Sequence, residues 1–292
     1  MREHGLDPVY SPAAGSRTED EQRELLKGAI GAIVASEPIT RGMLAEATDL
    51  RILARSGVGY DSVDTDSAQE LGIHVANTPG VNHHAVAELT LALMLNCAKH
   101  LTDVIAGTNA GQWPRTAGTE LRGKTLGVIG YGPSGKAIAA IGAALGMKVI
   151  VGTSHPDTKA DPSIEFANVD TVVSAADYLT LHARATGTPI IGADRLAVMK
   201  DTAFLINTAR GSLIDEAALV DALYHEQIAG AALDVLEAEP MTADDPLRSF
   251  DNVWITSHLA GQTVEARECA GLAAAQAVID ALGGKTPTGL IV

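Results

Sequence analysis

The stretch GVIGYGPSGKAIAAIGAALGMKVIVGTSHP (residues 127–156) joins a short apolar run, a glycine-rich turn and an alanine-rich segment. The apolar run predicts a strand, and the alanine-rich segment predicts a helix that packs closely against it. Between them, Gly130, Gly132 and Gly135 form the pattern G-x-G-x-x-G. Glycines at these places permit the tight turn, and backbone N–H groups at the helix N-terminus can hold a pyrophosphate. The stretch therefore predicts a dinucleotide-binding α/β domain.

The residues after the second strand of this stretch bear on which dinucleotide is bound. An acidic residue about 20 positions after the glycines commonly binds the ribose hydroxyls of NAD. Thr153, Ser154 and His155 stand there instead, and each can donate a hydrogen bond to a phosphate oxygen. This set favours NADP, and NAD stays open because no arginine is present. Pro133 removes one backbone N–H beside Ser134, which predicts weaker pyrophosphate binding rather than its loss.

Length, charge and cysteine content narrow the class of protein. The chain of 292 residues has room for two domains, and its formal net charge of −15 argues against a nucleic-acid partner. Cys97 and Cys269 lie far apart, which predicts a reducing, cytoplasmic location without a disulfide framework. The first ten residues have no apolar signal core, and no apolar run approaches about 18 residues. We therefore expect no membrane partner.

Predicted strands and helices alternate along the chain, which favours parallel sheets. The apolar runs predict strands at 32–36, 51–56, 73–79, 125–130, 148–152, 177–182, 203–208, 229–235 and 252–257. The helical patterns cover 17–29, 40–48, 64–72, 84–108, 135–146, 217–226 and 263–284. The helix at 84–108 has more apolar positions than one face holds, so it predicts a homodimer interface. The last helix is expected to return to the first domain.

Three further segments make the prediction more specific. They are residues 54–96 (ARSGVGYDSV through MLN), 205–240 (LINTARGSLIDEAALVDAL with AALDVLEAEP) and 252–263 (NVWITSHLAGQT). Together with the glycine loop they resemble the D-isomer-specific 2-hydroxyacid dehydrogenases, the family that includes phosphoglycerate dehydrogenase. The resemblance runs from about residue 6 to the C-terminus. Four ordered motifs are a specific signal.

The resemblance implies an α/β protein of two Rossmann-like or flavodoxin-like parallel-sheet domains, with the active site in the cleft. Residues 1–81 and 262–292 would form the substrate domain, and residues 82–261 the dinucleotide domain. The implied activity is hydride transfer between a nicotinamide cofactor and a small D-2-hydroxy acid or 2-keto acid. Such relatives usually carry a further first strand, so we expect that either the start site is misassigned or the first domain is incomplete; the regulatory extension of phosphoglycerate dehydrogenases is not expected here.

The resemblance also implies roles for residues that follow separate strands. Arg210 matches the arginine that grips the substrate carboxylate and carbonyl oxygen, a role that suits a planar cation. His258 matches the proton donor, and Glu239 matches the carboxylate that holds its ring. Glu237 competes with Glu239 for that role. Asp234 matches the residue that binds the nicotinamide carboxamide.

The remaining implied contacts belong to the cofactor and the substrate carboxylate. The implied cofactor-binding residues are Gly130, Gly132, Pro133, Ser134, Gly135, Thr153, Ser154, His155, His182, Thr208, Asp234 and Gly261. The backbone N–H groups of Val58 and Gly59 match those that meet the substrate carboxylate, and Asn82 lies where the chain crosses between domains. His83 and His84 are interpreted as a polar hinge, because no cysteine or acidic cluster stands at metal-ligand spacing. No metal is predicted.

One departure from the family pattern concerns the substrate. Phosphoglycerate dehydrogenases usually have an Arg-Ser pair near the substrate phosphate, whereas this chain has Ser36 and Glu37. A carboxylate repels a phosphate, so phosphoglycerate is not the expected substrate. Two alternatives to an active enzyme stay open: a dinucleotide-sensing dimeric interaction protein of the corepressor kind, and an inactive homologue. The acidic charge and the lack of a peptide-docking signature favour the enzyme.

Overall fold

Helices and strands alternate through the computed structural model, which describes residues 1–11, 17–157 and 159–292. The strands are β1 (Gly31–Val34), β2 (Ile52–Arg55), β3 (His74–Ala76), β4 (Thr125–Ile129), β5 (Lys148–Gly152), β6 (Ile164–Ala167), β7 (Tyr178–Leu181), β8 (Phe204–Asn207), β9 (Gly230–Leu233) and β10 (Val253–Ile255). The helices are α1 (Glu19–Leu26), α2 (Arg41–Glu46), α3 (Thr65–Glu70), α4 (His83–Lys99), α5 (Leu101–Asn109), α6 (Pro133–Ala144), α7 (Val169–Ala175), α8 (Ala193–Leu196), α9 (Glu216–Tyr224) and α10 (Val264–Leu282). Short 3-10 helices cover Arg2–His4, Gly211–Leu213 and Pro246–Ser249.

The chain forms two compact units. One comprises Met1–Asn82 and Gly261–Val292, and the other comprises His83–Ala260. In the first unit, three parallel strands pair in the order β1-β2-β3. Helix α10 covers one face of this sheet, where Ile52 and Val278 are buried together. Leu53 on the other face packs into a second apolar cluster with residues of α2 and α3.

The second unit is built on a seven-stranded sheet in the order β10-β9-β8-β7-β4-β5-β6, with parallel pairing throughout. From β4 the chain builds outward through β5 and β6, then returns to β7 and builds the other way. The connection direction therefore reverses beside β4, and ligands of such sheets bind beyond the carboxyl ends of the strands at this point. The α/β class with parallel sheets is confirmed.

A strand and a longer helix of this unit, as well as the four-residue α8, are absent from the sequence prediction. Strand β6 carries Glu165 within a four-residue run, so its apolar signal is weak. Helix α7 contains Val169, Val172 and Val173, and such β-branched residues favour strands over helices. Asn168 nevertheless caps α7 by accepting a hydrogen bond from the backbone N–H of Thr171.

The prediction of one helix at 84–108 is wrong, because the structure has two helices, α4 and α5, bent by 68°. His100 adopts a left-handed conformation with φ of 54° and ends the first helix. The side chain of Asn96 accepts hydrogen bonds from the backbone N–H and the hydroxyl of Thr102, which starts the second. In the described ranges no single helix is long and apolar enough to cross a membrane, and this bent pair meets the length and composition test only when both helices are taken together.

Candidate active site

Three residues singled out from the sequence follow three neighbouring strands of the second unit. Arg210 follows β8, Glu239 lies beyond β9 and His258 follows β10. These strands are parallel and adjacent. Their carboxyl ends therefore lie along the same edge of the sheet, and the fold places the three side chains on that edge.

The side chains of Glu239 and His258 form a direct pair. Oε2 of Glu239 lies 2.8 Å from Nδ1 of His258. The other carboxylate oxygen accepts the backbone N–H of Leu236 at 3.0 Å, which fixes the carboxylate. Because a carboxylate only accepts hydrogen bonds, Nδ1 of His258 carries a proton and Nε2 is left to exchange one with a ligand.

Asp234 organises the loop that carries His258. Its buried carboxylate accepts hydrogen bonds from the Thr256 hydroxyl at 2.5 Å and from the N–H groups of Leu259 and Ala260 at 2.7 and 2.8 Å. Its backbone oxygen accepts the N–H of His258 at 2.9 Å. His258 adopts a left-handed φ of 57°, a conformation that costs on the order of 1–3 kcal/mol without such support. The carboxylate thus holds the His258 loop, and the carboxamide contact that the family resemblance implies for Asp234 stays a prediction.

The loop of Arg210 packs directly against the loop of Glu239. A Cβ atom added at Gly211 would lie 1.9 Å from the backbone carbon of Leu236, so only glycine fits here. Glu216, the first residue of α9, accepts the backbone N–H of Glu237 at 2.6 Å. Burial raises the pKa of the Glu216 carboxyl. Glycine at 211 and the carboxylate at 216 together set the position of the segment that presents Glu239.

The glycine loop fits a dinucleotide pyrophosphate. Gly130 has φ of 97°, and an added Cβ would lie 2.5 Å from the carbonyl oxygen of His182. A Cβ at Gly135 would lie 2.2 Å from the carbonyl oxygen of Gly130, whereas a Cβ at Gly132 would meet nothing within 4 Å. Helix α6 begins here without a side-chain cap, which leaves its first N–H groups to a ligand. The two outer glycines permit the fold of the loop, and the middle one keeps its surface open.

Two buried residues expected to contact the cofactor are engaged in hydrogen bonds within the unit. The ring nitrogens of His182 lie 3.1 Å from the hydroxyls of Thr180 and Ser134. Burial lowers the pKa of His182 to about 4, so the ring is neutral around pH 7. The hydroxyl of Thr208 donates to that of Thr90 at 2.9 Å, because Thr90 itself donates to a carbonyl of α4.

The segment after β5 places hydroxyl groups where an NAD-binding domain commonly has a carboxylate. Thr153 accepts the backbone N–H of His155 at 3.1 Å, and Ser154 is 2.8 Å from the ring of His155. Asp157 is the nearest carboxylate along this segment, and Lys136 of α6 pairs with it at 2.7 Å. That contact with Lys136 lowers the pKa of the Asp157 carboxyl. The negative charge closest to residue 153 in the chain is therefore balanced.

Apart from Arg210, the residues expected to bind substrate lie in the first unit, together with Gly261, which is expected to bind cofactor. Val58 and Gly59 follow β2, and the Asn77 side chain donates to the carbonyl oxygen of Val58 at 2.7 Å. Asn82 and Gly261 are the residues at which the chain leaves and re-enters this unit. They are close to each other, since a Cβ added at Gly261 would lie 2.9 Å from the Asn82 amide nitrogen.

His83 and His84 line a groove beside the glycine loop. Their ring centroids are 4.0 Å apart. The groove has a volume of about 590 Å³ and is also lined by Tyr131, Pro133 and Lys136. Across residues 1–11, 17–157 and 159–292, no group of three or more His, Cys, Asp or Glu side chains is arranged to hold a metal ion.

Comparison with known families identifies the second unit. The NAD-binding domain of the D-isomer specific 2-hydroxyacid dehydrogenases matches residues 91–260, more than half of the chain. The chain belongs to this family. Sequence relatives include a hydroxypyruvate reductase of Thermotoga maritima, 38% identical over 84% of this chain and 82% of its own. A glyoxylate reductase of Aeropyrum pernix is 38% identical over 85% of this chain and 78% of its own.

Solved structures agree with this membership. An acyclic imino acid reductase in complex with NADPH and D-Arg superposes with a TM-score of 0.84 and 30% identity, covering 98% of this chain and 97% of that one. Like other D-2-hydroxyacid dehydrogenases, this protein is an oxidoreductase that transfers a hydride between a nicotinamide cofactor and a small 2-hydroxy or 2-keto acid.

Several residues that shape the site of this dehydrogenase have no signal in the sequence. Glu216 contacts a residue 21 positions away, and Thr256 contacts Asp234 from 22 positions away. The sequence pattern around Thr180 predicts a residue of strand β7 and nothing more. Contacts between loops of neighbouring strands depend on sheet order, which the local pattern does not contain.

Proposed function

We propose that Arg210, Glu239 and His258 carry the chemistry of this dehydrogenase. The observation that supports this most strongly is the 2.8 Å contact between Glu239 and His258, on the same sheet edge as Arg210. A contact of this kind gives an imidazole a fixed ring orientation and a defined proton position.

In the reduction of a 2-keto acid, Arg210 binds the substrate carboxylate and polarises the carbonyl oxygen. A planar guanidinium suits this role because it stays charged and donates in parallel. Protonated His258 donates from Nε2 to the carbonyl oxygen as negative charge develops there. Glu239 holds Nδ1 and stabilises the imidazolium before the transfer. The bound nicotinamide supplies the hydride, and in the oxidation direction it accepts one.

We propose NADP as the preferred cofactor. The oxygen of Thr153 accepts the N–H of His155, so the hydroxyl hydrogen can point to an external acceptor. Ser154 is exposed beside it, and the Asp157 charge is balanced by Lys136. This environment tolerates a 2′-phosphate. The structural relative described above is in complex with NADPH.

The proposed substrate is a small 2-keto acid without a phosphate group. Relatives of this chain are named as hydroxypyruvate and glyoxylate reductases. Glu37 lies just beyond β1, and its carboxylate accepts the backbone N–H of Ala35 at 2.8 Å. Arg17 pairs with this carboxylate at 3.5 Å, so the absence of an Arg-Ser pair at this place, and not a net negative charge, is what disfavours a substrate phosphate.

We also propose that the protein is a homodimer, with α5 at the interface. Helix α5 has no buried residue in the isolated chain, and Ile105 is 55% exposed. Trp113, just beyond the helix, is 81% exposed. An exposed apolar surface of this kind is typical of a protein interface.

A spectrophotometric assay tests the proposed function. Glyoxylate and hydroxypyruvate are offered with NADH and with NADPH, and oxidation of the cofactor is followed. His258→Ala should lower kcat by about 10²–10⁴-fold while cofactor affinity stays unchanged. A variant that keeps more than half of the wild-type kcat contradicts the role of His258. Cofactor binding without turnover of any 2-keto acid would favour the dinucleotide-sensing protein or the inactive homologue.

A further inference from the structure

Three hydrogen-bonding side chains connect the interior of the seven-stranded sheet with the glycine loop. Thr180 on β7 is fully buried, and its Oγ1 lies 3.1 Å from Nε2 of His182. Nδ1 of His182 lies 3.1 Å from Oγ of Ser134. Ser134 is half-buried in the first turn of α6, next to Pro133. The row of groups thus ends at the partly open surface of the loop.

Burial decides which group donates at each step. Within the described part of the chain, Nε2 of His182 is the hydrogen-bond partner of the Thr180 hydroxyl. A buried donor without an acceptor costs more than an ordinary hydrogen bond contributes, so Thr180 donates to Nε2. A neutral imidazole has one proton, which therefore sits on Nδ1 and is donated to Ser134. The ring is neutral around pH 7 because burial lowers the pKa of His182 to about 4.

We propose that this arrangement makes the Ser134 hydroxyl a hydrogen-bond donor to the cofactor pyrophosphate, in place of the backbone N–H that Pro133 lacks. Ser134 accepts from His182, so its own hydrogen is left for an external acceptor. The pyrophosphate of a dinucleotide bound at the glycine loop would be that acceptor. Thr180 and His182 are positioning residues, and Ser134 is a binding residue. The proposal rests on the proposed function, because it requires a dinucleotide at this loop.

The tautomer of His182 is tested first, on protein without cofactor. Nuclear magnetic resonance of protein labelled with ¹⁵N-histidine distinguishes a protonated from an unprotonated ring nitrogen, and His182→Gln identifies the signal by its loss. The expected result is a proton on Nδ1 and none on Nε2 of His182. A proton on Nε2 overturns the proposal, whatever the protein binds.

Calorimetry then tests the contact itself with ADP-ribose, NADH, NADPH and adenosine. Ser134→Ala should weaken binding of the first three by on the order of tenfold, the effect of one hydrogen bond to a charged group. Adenosine lacks the pyrophosphate, so its affinity should not change. Thr180→Val should weaken ADP-ribose binding by a smaller factor, and Thr180→Ser should restore it because the donor is kept.

The outcomes separate this proposal from the proposed function. If Ser134→Ala binds ADP-ribose as well as the wild type does, the proposal fails and the dehydrogenase function stands. If the wild type binds neither NADH nor NADPH, both fail. Pro133→Ala tests the replacement directly, because it restores the missing N–H. In the Pro133→Ala protein, Ser134→Ala should weaken ADP-ribose binding by a smaller factor than in the wild type. Equal factors in the two proteins would show that the Ser134 hydroxyl does not replace the missing N–H.

Discussion

Glu239 and His258 stand 19 positions apart in the chain, and their side chains meet at 2.8 Å. Glu237, the competing carboxylate, contributes its backbone N–H to Glu216 and leaves its side chain exposed. Glu239→Gln should therefore lower kcat by roughly 10- to 100-fold, less than the loss of His258 itself. Glu237→Gln is the matched control and should stay near the wild type. If steady-state assays show that Glu237→Gln lowers kcat more than Glu239→Gln does, the role belongs to Glu237.

The close approach at Gly211 gives a second prediction. In Gly211→Ala the new methyl group would overlap the backbone of Leu236 and Glu237, so the loop that presents Glu239 must move. Overpacking of this kind costs about 1–3 kcal/mol of unfolding free energy, and kcat should fall with it.

Gly271 on α10 provides the control for this substitution. A Cβ added there meets nothing within 4 Å, and alanine in a helix interior is better by about 1 kcal/mol. Gly271→Ala should therefore raise the unfolding free energy and leave kcat unchanged. Denaturant unfolding and kinetics of both variants decide the matter. Wild-type activity in Gly211→Ala would show that the loop position is not critical.

The strands other than β6, and their parallel pairing, could be predicted because buried strands are continuous apolar runs. Strand β5, for example, is KVIVG in both the pattern and the structure. The capping box of α1 is also local, since Thr18 and Glu21 bond each other's backbone as the Thr-x-x-Glu pattern implies. The bend at His100 could not be predicted, because the apolar pattern continues through it and a tertiary contact of Asn96 decides the break.

The candidate site, like the fold, could be predicted from the sequence only in part. The sequence indicates Glu239 and His258 through motifs, each within a few residues of a strand end. It does not indicate that the Asp234 carboxylate holds the His258 loop with three hydrogen bonds. That contact exists because β9 and β10 are neighbours in the sheet. Strand order is a property of the whole fold, so local patterns leave it undetermined.

The buried ring of His182 predicts a loss of stability in acid. Its pKa is lowered to about 4 by burial, while an unfolded histidine titrates near 6.5. Between these values the unfolded chain binds more protons, so the unfolding free energy falls as pH drops from about 6.5 to about 4. The shift of about 2.5 pKa units corresponds to about 3 kcal/mol from this group.

Tryptophan fluorescence can follow this effect, since Trp113 and Trp254 both lie in the second unit. Denaturant titrations between pH 4 and pH 7.5 should give a shallower pH dependence for His182→Gln than for the wild type. Equal slopes for the two proteins would contradict the burial effect.

The proposed dimer can be broken at α5. Ile105→Asp places a charge on the exposed apolar surface and should shift sedimentation at micromolar concentration from dimer to monomer. Val198→Asp is a matched control, because Val198 is 51% exposed in the same unit, close to the 55% of Ile105. A wild type that sediments as a stable monomer would refute the dimer, and dissociation by both variants would refute the location.

Cofactor preference depends on residue 153. An aspartate there accepts hydrogen bonds from the ribose hydroxyls and repels a 2′-phosphate, whereas Thr153 offers a neutral hydroxyl. We expect NADPH to be bound at least as well as NADH by the wild type. Thr153→Asp should move the ratio of affinities toward NADH by about 5- to 150-fold, or roughly 1–3 kcal/mol, through one lost phosphate contact and one new repulsion.

Titration of both cofactors against three proteins tests this expectation. Thr202→Asp adds the same charge at an exposed threonine just before β8, at the opposite edge of the parallel sheet, and should leave the ratio unchanged. Lys136 already pairs with Asp157, the nearest carboxylate along the chain. The charge that Thr153→Asp introduces is therefore the change in net charge beside the ribose. A strong wild-type preference for NADH that Thr153→Asp does not alter would mean that residue 153 does not contact the ribose, and the preference for NADP would be wrong.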